Sequence, residues 1–167
     1  MTPLEHDQYR RAGAPDWIGS SLLRELNSRL WHATDEQGWR GIVAAQAILP
    51  NAPAKYPSGF CRSIGGVSLF DLGQPDDAAS PAASHWSDWL GRTDDNLRVW
   101  FEIDRDATRN AVLSPSATLA RWRGALDAHS TSLRIIAGLE AAHLGPIPVE
   151  RTIRVLQLRR GRLDRVR

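Results

Sequence analysis

Leu30–Thr34 (LWHAT) is a short apolar run that carries a single histidine, and it leads at once into DEQGWRGIVAAQAILPN, residues 35–51. The first run reads as a buried strand, with His32 and Thr34 on one of its sides because side chains alternate along a strand. The second has helical spacing. Asp35 or Thr34 caps it, Trp39, Ile42, Val43, Gln46 and Ala47 fall on one face, and Pro50 ends it. A strand that feeds straight into a helix opens its carboxyl end toward a crevice. A histidine there is placed to meet a small molecule, although a histidine in an apolar strand is more often a core residue bonded to its neighbours.

Reading outward, residues 1–15 are polar with two prolines, which predicts loose order. Asp16 caps a helix through Trp17, Leu22, Leu23, Leu26 and Leu30, to be broken at Asn27–Arg29 so that LWHAT can extend. Residues 51–66 are rich in Pro, Gly and Ser and read as a long loop, a length that in a compact domain is often functional. GGVSLFDLG (65–73) is a short buried strand, QPDDAASPAAS (74–84) a polar linker, and HWSDWLGR (85–92) a short helix with Trp86, Trp89 and Leu90 on one face. LRVWFEIDR (97–105) is the clearest strand, β-branched and aromatic between turn signals. Ser116 caps a helix through Leu119, Trp122 and Leu126. SLRIIAGLEAAHLG (132–145) reads as one or two extended pieces around Gly138. PIPVE (146–150) is a turn, since its prolines exclude regular pairing. TIRVLQLRR (152–160) closes the chain with Ile153, Val155 and Gln157 alternating against Arg154, Leu156 and Leu158. Five or six strands with three or four short, irregularly ordered helices predict an α+β domain spanning 1–167, with 160–167 loosely ordered.

The composition excludes several classes. A chain of 167 residues with 42% hydrophobic and 24% charged content is an ordinary globular domain. No apolar run approaches the roughly 18–20 residues that span a bilayer, and the N-terminus has no apolar signal core, so the expected location is cytoplasmic, with no membrane partner. Cys61 is alone, which rules out an internal disulfide and a cysteine-based zinc cluster. The histidines at 6, 32, 85, 129 and 143 show no metal-ligand spacing, and no metal is expected; His85 and His129 read as surface or structural residues. Dinucleotide (GxGxxG), P-loop, HExxH and GxSxG signatures are absent. Twenty of the 21 basic residues are Arg. That bias follows from GC-rich coding or from phosphate contact through a bidentate fork. The tail LRRGRLDRVR (158–167) is basic enough to hold nucleic acid, or simply to stay solvated.

Several segments together resemble the ADP-ribosyltransferase fold. LWHATDEQGWRGIVAAQAILPNA is similar to that family's opening, a strand bearing His-x-Thr followed by a helix and an Ile-Leu turn. GGVSLFDL stands where the second strand is expected. LRVWFEIDRD resembles the central strand with its Ile-Asp exit, and LEAAHLGPIPVERTIRVLQL the closing motif, in which a Glu begins a strand. The resemblance covers about 30–72 and 97–158 and rests on order and spacing. It implies a split mixed β-sheet core with short flanking helices, and NAD⁺ as a substrate.

The same resemblance implies the site. His32 would hydrogen-bond the nicotinamide ribose or the adenosine portion of NAD⁺, with Ala33 and Thr34 beside it. Gly66–Ser68 would line the nicotinamide cleft and Glu140 would be the catalytic carboxylate. Breaking the nicotinamide–ribose bond builds positive charge on the ribose, which a carboxylate near the 2′-OH stabilises while positioning a nucleophile. Arg62 is the candidate for the pyrophosphate. Many members carry a Tyr in the second strand; here Ser68 and Phe70 stand in that strand, and Tyr56 or Phe60 would stack on nicotinamide instead. Glu102 and Glu150 compete with Glu140, the first read as an outward-facing strand residue and the second as solvated. The implied activity is mono-ADP-ribosyl transfer to a macromolecule, DNA or RNA favoured over protein, by an intracellular toxin or defence effector that an antitoxin would neutralise. The pattern of three Arg and a His expected for RNA 2′-phosphate transfer is not apparent. Two further readings stay open: a non-catalytic nucleotide- or nucleic-acid-binding module, and an unrelated α+β domain in which His32 is structural.

Overall fold

The computed structural model describes residues 22, 24–53, 59–73, 97–129, 133–159 and 162–165. Tyr56, His85, residues 1–15 and the linker at 74–84 lie outside them. In chain order the strands are β1 (Leu30–Asp35), β2 (Ala47–Ile48), β3 (Gly66–Asp71), β4 (Leu97–Ile103), β5 (Val112–Leu113), β6 (Glu140–Leu144), β7 (Ile147–Pro148), β8 (Thr152–Arg159) and β9 (Arg162–Arg165). The helices are α1 (Glu36–Ala45), α2 (Phe60–Ser63), α3 (Arg105–Thr108) and α4 (Pro115–Asp127). Seven strands form one sheet in the order β5-β6-β3-β1-β4-β8-β9, and β2 pairs with β7 in a small ribbon. The chain is thus α+β. Among the described residues its ladders are all antiparallel, which corrects the expected mixed sheet. The reason is visible at β1 and β3: α1 and the following loop bring the chain back to the end of the sheet it left, so the two neighbours run in opposite directions.

Both faces of the sheet are covered. Trp31, Trp100, Leu156 and Leu158 pack on one face with Leu22, Leu26, Leu72 and Leu139. On the other face, Leu30, Leu69, Val99, Phe101 and Val155 pack with Ile42 of α1 and with Ile48 and Ile147 of the ribbon. The helix expected to break at Asn27–Arg29 does so: residues 24–26 are helical and 27–29 turn, with Ser28 at φ 61°. The Trp31 indole N–H donates to the Leu26 carbonyl at 2.8 Å, tying the helix end to the strand it precedes.

Helix α1 begins as expected. The Asp35 side chain accepts from Gly38 N–H at 2.8 Å, satisfying an N-terminal amide. It ends earlier than Pro50, at Gln46, which turns left-handed at φ 53°. Ala47 and Ile48 then pair with Pro148 and Ile147, and this pairing outweighs helical continuation. Of the expected helix face only Ile42 is buried, and Val43 is 49% exposed. The same ribbon corrects the reading of PIPVE as an unpaired turn: Ile147–Pro148 is a short strand, and Val149–Arg151 forms a 3₁₀ turn. The cap of α4 is Ser114, whose hydroxyl accepts from Ala117 N–H, with Pro115 in the first turn; the cap therefore lies two residues before Ser116, because Pro115 needs no N–H partner there. Residues 162–165, expected to be loose, add the edge strand β9 to β8.

Gly38 sits in the first turn of α1, against the end of β1. A Cβ there would lie 1.9 Å from Thr34 Oγ1 and 3.2 Å from Thr34 Cβ. Ala is normally preferred to Gly in a helix by about 1 kcal/mol. Here Gly38→Ala is expected to destabilise by about 1–2 kcal/mol, because overpacking exceeds that gain. Thr34→Ala in the same chain should recover the loss; chemical denaturation of the single and double variants measures both.

Candidate functional site

The central pair of strands parts within the LWHAT run. β1 and β3 pair only at Leu30↔Asp71 and Trp31↔Phe70. From His32 to Asp35, β1 keeps β4 as its partner, while β3 runs alongside β6 from Gly66↔Leu144 to Phe70↔Glu140. His32 stands at this split. Its Nδ1 lies 3.0 Å from the Ser68 carbonyl oxygen. A carbonyl only accepts, so Nδ1 carries the proton and Nε2 keeps its lone pair. The ring also lies 6.4 Å from that of Phe101, its partner across β4.

Glu140 starts β6 and is only 6% exposed. Alternation places it on the side of the sheet that holds Phe70 and Ser68, opposite to that of His32. Its Oε1 accepts from Ser68 Oγ at 2.5 Å and from Cys61 Sγ at 3.4 Å. Its Oε2 accepts from Ile136 N–H at 2.9 Å. Ser68 therefore joins the two predicted residues, with its carbonyl on His32 and its hydroxyl on Glu140. Burial pushes the Glu140 carboxyl above the usual carboxylate range, against the opposing pull of the hydrogen bonds from Ser68, Ile136 and Cys61. Burial, with the nearby Glu140 charge, pushes the Cys61 thiol far up. Cys61 is then a hydrogen-bond donor and not a nucleophile.

The other predicted residues take separate places. Ala33 faces Trp100 across β4 and packs on the first core cluster. Thr34 lies against Gly38. Gly66 opens β3, where a Cβ would come within 3.1 Å of the Cys61 carbonyl and 3.3 Å of the His143 carbonyl. Arg62 donates to the Ala52 carbonyl at 2.5 Å and the Asn51 carbonyl at 3.2 Å, so part of its fork ties the 51–53 segment to α2. Phe60 is a buried core residue of α2. Glu150 is exposed, as expected, and so is His129.

Glu102 is not outward-facing. It is 3% exposed and accepts from Arg29 at 2.6 Å and from Arg154 at 2.5 Å. Arg154 also pairs with Glu25 and lies 5.4 Å from the centre of the Trp31 ring. Glu102 would point outward in a one-faced sheet; here Leu22 and Leu26 cover that face, and burial forces the charge into pairs. The residues that sequence reading missed are Cys61 and the Ile136 amide. Both come from segments without a periodic pattern, and only the pairing of β3 with β6 brings them to Glu140.

His32 yields a direct test. Its enclosed position holds the imidazole below its ordinary value of 6.5, with desolvation exceeding the opposing hydrogen bond to Ser68. Nitrogen-detected NMR is expected to show the neutral form, protonated on Nδ1, as the majority at pH 6.5, with a titration midpoint below that value. A midpoint at or above 6.5 contradicts the geometry.

Among the described residues no helix is long and apolar enough to cross a membrane. Comparisons of the chain with protein-family models, with curated proteins and with solved structures find no match.

Proposed function

We propose that the chain is a mono-ADP-ribosyltransferase that uses NAD⁺ as donor and transfers ADP-ribose to a macromolecular acceptor. The observation that carries this reading is that Ser68 is bonded to both residues, its carbonyl oxygen to His32 and its hydroxyl to Glu140, beside the place where β1 and β3 separate. The gap between these strands is where a flat ring and its ribose would enter.

The chemistry follows from the hydrogen-bonding capacity of each group. With Nδ1 committed to Ser68, His32 Nε2 accepts a hydrogen bond from a ribose hydroxyl. Glu140, held by Ser68 and Ile136, presents its carboxylate to the ribose as the bond from C1′ to nicotinamide breaks. The electron pair leaves with nicotinamide, and the positive charge that develops on the ribose is stabilised electrostatically. The acceptor's nucleophilic atom then bonds to C1′ and gives up its proton, for which Glu140 serves as the base. Ser68 borders the gap between β1 and β3, and the remaining N–H groups of Arg62 would meet a pyrophosphate. In a cell this activity suits a toxin or defence effector, held in check by an antitoxin.

One observation favours a second reading, a non-catalytic nucleotide-binding module on the same scaffold: both Glu140 oxygens are engaged and the residue is nearly closed off. Calorimetry with NAD⁺ and a nicotinamide-release assay separate the two. Binding with release supports the enzyme, binding without release supports the module, and no binding at millimolar NAD⁺ overturns both.

A further inference from the structure

Arg121, Trp122 and Arg123 form the middle of α4, which lies along β5 and β6. Both arginines are exposed and the indole between them is half-buried. The Trp122 indole N–H donates to the Leu133 carbonyl at 2.7 Å. That bond fixes the helix against the segment that leads into Glu140. The next residue, Arg134, is exposed, and its backbone is held by Phe60 N–H at 2.9 Å and by a bridge to Gly59. Two residues further on, Ile136 N–H reaches Glu140.

Three exposed arginines and a half-buried tryptophan thus come from two segments joined by one anchored contact. Among the described residues none of the three meets a carboxylate, and the one acidic residue in α4 is Asp127, a turn beyond Arg123. Charges that meet no carboxylate among the described residues, on a fixed scaffold, suit a partner that brings its own regular negative charge. An aromatic ring set between them suits bases free to stack.

From this juxtaposition we infer that Arg121, Trp122, Arg123 and Arg134 form a docking surface for single-stranded nucleic acid, whose phosphodiester backbone is led toward Glu140. The inference rests on the transferase reading insofar as it names the acceptor; the docking itself does not. Duplex fits less well, because stacking on Trp122 needs an unpaired base. Phosphodiester chemistry is shared by DNA and RNA, so both are probed.

The test is fluorescence anisotropy of the full chain with labelled 20-nucleotide single-stranded DNA and RNA over a range of salt concentrations. The triple variant Arg121→Glu/Arg123→Glu/Arg134→Glu is expected to lose about tenfold or more in affinity. Its salt slope should fall by about 2, since each phosphate contact with a single strand contributes roughly 0.7. Trp122→Phe, which keeps a ring, should bind better than the triple variant. The control Arg24→Glu/Arg40→Glu/Arg151→Glu, at exposed positions elsewhere, makes the same change in net charge and should change affinity less than threefold. Thermal melts confirm that each variant is folded. The inference is overturned if wild type binds neither oligonucleotide, if the control loses as much as the triple variant, or if polyglutamate competes as well as the oligonucleotides. Retained binding without nicotinamide release leaves the docking surface standing and removes the transferase reading. Release without binding does the reverse.

Discussion

Glu140→Gln is expected to lower the rate of nicotinamide release by about 10²–10³-fold, the usual cost of removing a group that stabilises transition-state charge, while leaving NAD⁺ affinity within about threefold. Gln keeps an oxygen to accept from Ser68 and Cys61, so the cleft retains its shape. Its amide N–H₂ faces the Ile136 N–H, donor against donor, and it carries no charge for the ribose. Stopped assays for nicotinamide and calorimetry for NAD⁺ check the two halves separately. A variant that releases nicotinamide at the wild-type rate removes Glu140 from the chemistry. The same substitution has a pH signature in stability. The folded carboxyl sits above its ordinary value of 4.5, so its contribution is fully present below that value and is lost as pH rises through the folded pKa. Glu140→Gln has no such term. Urea denaturation is therefore expected to show the variant gaining on wild type as pH rises through that window; parallel curves would refute the burial argument.

Glu102→Ala is expected to destabilise the fold by about 3 kcal/mol, the lower end for removing one partner from a buried ion pair. In a domain of this size that corresponds to a fall in Tm of about 6–12 °C. The lower end applies because Arg29 is 47% exposed and can turn to water, whereas Arg154, 17% exposed, keeps Glu25 as its one carboxylate partner among the described residues. Removing the stranded charge should therefore recover part of the loss, so Glu102→Ala/Arg154→Met is expected to be more stable than Glu102→Ala alone. Scanning calorimetry of the set decides it, and a Glu102→Ala variant that melts with wild type would show that the network contributes nothing.

Much of the scaffold can be read locally. The strand at LWHAT, the Asp35 cap, the break at Asn27–Arg29 and the strands around Val67 and Val99 all follow from contacts within a few residues. Of the proposed site, His32 stands out in the sequence because it interrupts an apolar run, whereas Glu140 is pointed to only by the resemblance of its segment to a closing motif. Elsewhere long-range pairing overrides the local pattern. The end of α1 and the pairing of Pro148 depend on the β2–β7 ribbon, formed by segments about 100 residues apart. β9 extends a tail whose composition reads as solvated. Glu102 has an ordinary alternating position, and only the cover supplied by Leu22 and Leu26 makes it a buried charge.

For the site the division has one physical cause. Alternation and apolar spacing determine which residues leave a strand on the same side, and that much the chain dictates by itself, including the strand that carries His32. Which strands become neighbours depends on closing loops of dozens of residues, whose cost is repaid only by contacts across the sheet. The tertiary structure alone decided that β1 and β3 separate after Trp31↔Phe70. It also decided that β3 lies between His32 and Glu140, and that Ser68, with Cys61 and the Ile136 amide, completes the arrangement.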